Sequence, residues 1–199
     1  MVTPLEIRRK IFHVVFGLFC IELFIRNLIT PLIVFGVVIV GGIISYLSRS
    51  YKIPGVWWFL KKFERPQHLA SFPGKGAWFF AVGFFLCILL FKKNIAIASI
   101  IVMVLGDSIS HIIGTNFGAI KHPFSNTKFL EGHIVGAIVS GFAASAFVPF
   151  WIGLIGALGG MFMEGVDAIM KIDPVDDNVV VPLSAGIIMT LLNLIASMI

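Results

Sequence analysis

Charge is what this sequence has least of. Of its 199 residues only 13% are Asp, Glu, Lys or Arg, against 58% hydrophobic, and a soluble domain of ordinary composition carries about a quarter charged residues. That shortage excludes a water-soluble enzyme. No long low-complexity tract or charge block is present, which excludes a disordered or fibrous chain. Cysteine is scarce as well: Cys20 and Cys87 sit in apolar runs without a C-x-x-C, so neither a disulfide framework nor a zinc site follows. The first apolar run starts directly after Arg8, Arg9 and Lys10 but lacks a small-residue cleavage site, and it is expected to remain as a spanning helix rather than a removable signal. The length allows one domain, residues 1–199.

What the chain does have is apolar sequence in blocks. Seven runs stand out: Ile11 to Ile25, Leu28 to Leu47, Ala77 to Phe91, Ile95 to Ile113, Ile134 to Val148, Phe150 to Met163 and Val179 to Ile199. They predict an all-α polytopic membrane protein of about seven transmembrane helices. Crossing the hydrocarbon takes about 20 residues, with roughly 17 tolerated, so the first, third, fifth and sixth runs must borrow flanking residues. The fifth and sixth meet at Val148-Pro149-Phe150, where proline either separates two helices or kinks one.

With seven spans, 12 of the 15 Lys and Arg fall on the side of the N-terminus, which predicts a cytoplasmic N-terminus and an external C-terminus. The net charge of +5 then needs no nucleic-acid partner, because a basic face beside anionic lipid accounts for it. Every acid except Glu22, and all five histidines, fall on or near that same face. A transporter would gather its ionisable groups near the midplane, on discontinuous helices. One-sided placement suits an enzyme that takes one substrate from the cytosol and a lipid from the bilayer.

Five segments carry the polar groups. In Glu6 to His13, the residues Glu6, Arg9, Lys10 and His13 share one helical face; a topogenic positive flank explains the arginines, but His13 lies inside an apolar run, where a polar group is costly unless paired. In Gly106 to Gly118, the small residues Gly106, Ser110, Gly114 and Gly118 recur every fourth position, which by itself is a helix-packing stripe. That stripe does not explain Asp107, a carboxylate in an apolar helix that His111 could join at i, i+4. Thr127 to Gly136 offers Lys128 as a point charge for phosphate and Gly132 at a helix mouth, or else an ordinary loop and another packing stripe. Glu164-Gly165-Val166-Asp167 and Asp173 to Pro182 hold five carboxylates able to coordinate a hard divalent cation, although Asp173 and Asp176 read equally as solvated loop acids. Finally, the aromatic and basic stretch from Lys52 to Pro66 reads as a short helix lying in the membrane interface.

Taken in order, these segments resemble the CTP-dependent lipid-alcohol kinases, the family of dolichol kinase, phytol kinase and the CTP-dependent diacylglycerol kinase. The matching pieces are E-x-x-R-K-x-x-H at Glu6 to His13, Gly76-Ala77-Trp78-Phe79, Gly106-Asp107-Ser108 with Gly114 and Gly118, Lys128-x-x-Glu131-Gly132, and Glu164 followed by Asp177-Asn178 and Pro182. The chain departs from the pattern at Phe129, Thr115 and His111. The resemblance implies transfer of the γ-phosphate of CTP to a lipid alcohol, a polyprenol or similar isoprenoid, with Mg²⁺ as cofactor and the active site on the cytoplasmic face. It implies Asp107, Glu164 and Asp177 as metal ligands, Asp107, His13 and Glu131 as catalytic residues, and Arg9, Lys10, Gly114, Gly118, Lys128, Gly132 and Asn178 around the nucleotide. Related phosphatidate cytidylyltransferases use CTP and Mg²⁺ at the α-phosphate, so a CDP-lipid synthase is the alternative, and a transporter a more distant one. The identity of the lipid and the oligomeric state are not encoded in these motifs.

Overall fold

The protein is described here by a computed structural model covering residues 2–170 and 176–198, of which 167–170 are placed by backbone alone. Asp167 and Asp173 of the acidic segment therefore lie outside the described side chains. Threonine and proline start the first two helices. Thr3 and Thr30 accept hydrogen bonds from the amides of Glu6 and Ile33, and Pro4 and Pro31 supply the first helical residue. The results are α1 (Pro4–Ile25) and α2 (Pro31–Leu47). Two short helices follow, α3 (Val56–Phe63) and α4 (Pro66–Ser71), then α5 (Lys75–Leu90). Gly55 and Gly74, both at φ 78°, begin α3 and α5, in backbone conformations that other residues adopt only with strain.

Next, α6 (Lys93–Ile101) runs through one π turn, Val102–Gly106, directly into α7 (Asp107–Phe117). A loop closed by an antiparallel bridge between Lys121 and Phe129 leads to α8 (Leu130–Ala144), α9 (Phe150–Met170) and α10 (Asp177–Ala196). The chain is all-α, with no strand among the described residues. Each of the seven apolar runs supplies the greater part of a helix, and the break at Pro149 makes α8 and α9 separate elements. Lys93–Phe117 and Asp177–Ala196 are long and apolar enough to cross a membrane; Pro31–Leu47, Lys75–Leu90, Leu130–Ala144 and Phe150–Val166 are apolar but shorter.

The continuous helix α6–α7 is the hub. Its residues from Ile95 to Val104 are buried, and α1, α8 and α10 pack around it while α9 and α5 complete the bundle. Small residues set the spacing. A Cβ on Gly136 would stand 2.7 Å from the Gly106 carbonyl, and one on Gly132 would stand 2.9 Å from the Gly114 nitrogen, so α7 and α8 cross with their backbones nearly touching. The outer surface is apolar: Leu32, Phe142 and Ile11 are 78%, 71% and 58% exposed, on a scale that soluble monomers avoid.

One contact fixes the start of α10. Pro182 inside this helix has no N–H, so the carbonyl of Asn178, four residues earlier, loses its helical partner. That carbonyl abuts Gly83 of α5, where a Cβ would collide with it. Gly83→Ala is therefore expected to destabilise the protein by about 1–3 kcal/mol, the usual cost of overpacking, read as a lower thermal midpoint of the detergent-solubilised protein beside wild type. An unchanged midpoint would show that α10 slides away from α5 at no cost.

Candidate active site

The i, i+3, i+4, i+7 face of α1 forms as its spacing predicts, and it faces the N-terminal half of α7. Arg9 donates to both carboxylate oxygens of Glu6, at 3.0 and 3.2 Å, and Arg65, just before α4, donates to the same carboxylate at 2.9 Å. One turn on, Lys10 donates to Asp107 at 2.6 Å. His13 packs edge-on against Phe80, and its Nε2 is buried without a hydrogen-bond partner among the described residues. Asp107 is the first residue after the π turn, so the widened backbone turn ends where the buried carboxylate begins. Such single π turns recur at functional sites.

Three carboxylates meet here. One oxygen each from Asp107 on α7, Glu164 on α9 and Asp177 on α10 lie within 4.8 Å of one another. Asp107 and Glu164 are 6% and 1% exposed. Lys128, from the loop before α8, donates to Glu164 and, at 2.9 Å, to Asp177. Three carboxylates, two buried and Asp177 half-buried, outnumber the two ammonium groups beside them and make a centre of hard oxygen donors. Glu164 Oε2 has no hydrogen-bond partner among the described residues, and the His133 Nε2 stands 3.5 Å from it. The three carboxylates fit a divalent cation by charge, by donor type and by this spare oxygen.

The surroundings tune the charges at the mouth. Burial opposes charge on Lys128, but Glu164 and Asp177 outweigh it and hold its ammonium well above the usual lysine range. Burial likewise works against Arg65, and its hydrogen bond to Glu6 wins, so it titrates above an ordinary arginine. Asp176 caps α10 by accepting from the Asn178 amide at 3.2 Å and side chain at 2.6 Å; burial and the neighbouring Asp177 charge push its carboxyl upward. Beside the cluster lies a cavity of about 360 Å³ lined by the polar residues Arg9, Lys10, Glu64, Arg65, Asp107 and Asn178 and by the rings of Phe16, Phe59, Phe63 and Phe80.

Not every residue singled out in the sequence arrives here. Asp107, Glu164, Asp177, Lys128 and Lys10 form the cluster, and Arg9, His13 and Asn178 line the cavity beside it. Glu131 is used elsewhere: its Oε1 accepts from the amides of Ala119 and Ile120 at 3.1 and 2.9 Å, tying the loop after α7 to the start of α8. Gly114 and Gly132 face each other across the α7–α8 crossing, and a Cβ on Gly118 would strike Phe129; close packing accounts for all three. Two participants were not singled out in the sequence. Arg65 reaches Glu6 across 59 positions, a separation no local pattern reports. His133 adjoins Glu164, and its only signal was a histidine beside a helix-mouth glycine.

An all-helical bundle closing on buried carboxylates, with a half-charged, half-apolar cavity beside them, is the class of protein the fold and site define. No protein-family model matches the chain, and no solved structure matches it. An uncharacterized protein of Methanocaldococcus jannaschii is 33% identical over 183 residues, 89% of this chain and 88% of that protein. A probable chloroplastic phytol kinase of Triticum aestivum is 31% identical over 133 residues, 59% of this chain and 44% of the kinase. CTP-dependent diacylglycerol kinase 1 of Schizosaccharomyces pombe is 26% identical over 140 residues, 59% of this chain and 62% of that kinase. The chain belongs to the family of the Methanocaldococcus protein, and these partial homologues bear out its resemblance to the CTP-dependent lipid kinases.

Removing Lys128 leaves Glu164 and Asp177 facing each other without their ammonium. Lys128→Met is expected to cost about 3–5 kcal/mol, the range for breaking a buried ion pair from one side, and the double variant with Glu164→Gln is expected to recover part of it. Thermal unfolding of the two variants beside wild type checks this, and a Lys128→Met protein as stable as wild type would mean the pair contributes nothing.

Proposed function

We propose that this chain is an integral membrane kinase that transfers the γ-phosphate of CTP to the hydroxyl of a lipid alcohol, with Mg²⁺ held by Asp107, Glu164 and Asp177. The observation that carries the reading is the cavity: its lining combines the charges a nucleotide triphosphate needs with the rings a hydrocarbon needs, and Asp107 of the carboxylate cluster is part of it. The kinase relatives supply CTP as the donor. The apolar outer surface and the gathering of ion pairs at one end of the bundle support seven crossings with the site on the cytoplasmic side, the shorter helices being completed by flanking residues. Phytol, named for the plant relatives, is an isoprenoid alcohol, and a polyprenol or similar isoprenoid is the acceptor proposed here.

Phosphoryl transfer asks a protein for positioning and charge neutralisation. Arg9 and Lys10 face the cavity and meet the phosphates. Lys128 takes a share of the charge that develops between donor and leaving group, and Asn178, whose buried Oδ1 has no partner among the described residues, is placed to accept from the nucleotide. Asp107, Glu164 and Asp177 would hold a divalent cation, which would supply neutralisation of phosphate charge. His13 faces the same cavity from its apolar side and accepts the proton of the lipid hydroxyl at Nε2 as the oxygen attacks the γ-phosphorus; the bond to the β-phosphate oxygen breaks, and CDP leaves.

With purified protein, Mg²⁺, an isoprenoid alcohol and CTP labelled at either phosphorus, label is expected in the lipid from the γ and not the α position; the reverse would make the protein a CDP-lipid synthase. Asp107→Asn is expected to lower kcat by about 10²- to 10³-fold, the range for removing a charge-stabilising group. Full activity of that variant at ordinary Mg²⁺ would remove Asp107 from the ligand set. His13→Gln is expected to cost about 10²- to 10⁴-fold in kcat with little change in the KM for CTP, as loss of a general base does.

A further inference from the structure

A second cavity, of about 380 Å³, opens beside the first between α1, α2 and α5. The two are neighbours: Phe16, Phe59, Leu60, Gly74, Ala77 and Phe80 line both and form a shared collar. The charged residues stop at this collar. Beyond it the wall is hydrocarbon, from Cys20 and Leu23 on α1 to Val34 and Val37 on α2 and Ala81 and Phe84 on α5. Two serines interrupt it, both near the end of α2, and Ser45 donates its hydroxyl to the Pro73 carbonyl at 2.6 Å. From Ile33 to Ser45 the groove follows α2 for about 18 Å at the helical rise per residue, a little more than half of a hydrocarbon core about 30 Å thick. Trp78 pins the wall by donating to the Val38 carbonyl at 2.9 Å, its ring lying over Gly41 and Gly42.

We propose that this groove holds the hydrocarbon tail of the acceptor as a single chain, with the collar around its first carbons and the hydroxyl delivered beside His13 and Asp107. The assignment of the head group rests on the kinase reading; the assignment of the tail rests on the groove. The shared collar selects the occupant, because a chain lying in the groove and ending at the collar presents its polar end toward the charged residues, which line the first cavity and not the second. Chain-length preference is then set by the α1, α2 and α5 residues past the collar, with Ala81 partway along.

The test has two readouts, one independent of turnover. In phosphatidylcholine nanodiscs without nucleotide, hexadecanol carrying a terminal diazirine is expected to label α1, α2 and α5 at the groove, and excess unlabelled hexadecanol is expected to displace it. Label on the outer faces of α8 and α9, or groove label that hexadecanol does not displace, would overturn the proposal in favour of nonspecific contact or bulk lipid. With CTP, Ala81→Phe is expected to lower the kcat/KM ratio of hexadecanol to octanol by about tenfold, and an unchanged ratio would also overturn it. If no alcohol is phosphorylated while the groove label is specific, the kinase reading falls and the tail site stands. If the Ala81 variant does not fold, labelling of the wild type still decides.

Discussion

Mutual repulsion among three clustered carboxylates, two of them buried, is the constraint around which this protein is arranged. Asp107, Glu164 and Asp177 come within 4.8 Å of one another in a bundle whose interior offers little water to screen them, and like charges at that range in a low dielectric are costly. The cost is offset by ammonium groups brought from elsewhere in the chain, Lys10 from α1 and Lys128 from the loop before α8. The five groups therefore come from five separate segments, and no fragment of the fold contains the site. Helix packing and charge pairing depend on each other: the glycine crossings bring α7 and α8 close enough to seat Lys128, and the ion pairs in turn tie α1, α7, α9 and α10 at one end.

Much of this was legible in the sequence because membrane-like chains separate their information cleanly. Apolar blocks give the helices, and the few charges left inside or beside those blocks must have a reason to be there. That logic brought out Asp107, Glu164 and Asp177, and the helical spacing from Glu6 to His13. The same logic fails where a residue has two adequate uses. Glu131 stands one residue before a helix-mouth glycine in a phosphate-like context, yet its carboxylate closes a loop on two amides. Gly114, Gly118 and Gly132 fit a nucleotide cradle and a packing stripe equally well on paper, and only the contact at the α7–α8 crossing shows packing at work.

Long-range pairings were beyond sequence reasoning for a different reason. Arg65 lies in a basic loop whose charges all serve topology equally well, so nothing marks it as the partner of Glu6. Asp176 reads as one solvated acid among several, and its role as the cap of α10 depends on the exact residue at which that helix begins. The π turn before Asp107 has no compositional signature in Val102-Met103-Val104-Leu105. It places a widened, less tightly bonded stretch of backbone directly beneath the most crowded charges of the molecule.

Lys128 differs from every carboxylate it touches in being carried on a loop rather than a helix. Helices in a close-packed bundle cannot move one at a time, but an ammonium on a flexible four-carbon stem can swing aside without repacking anything. The protein thus carries its own stand-in cation. The Lys128 ammonium stands between Glu164 and Asp177, so any cation held by those two carboxylates would have to displace it.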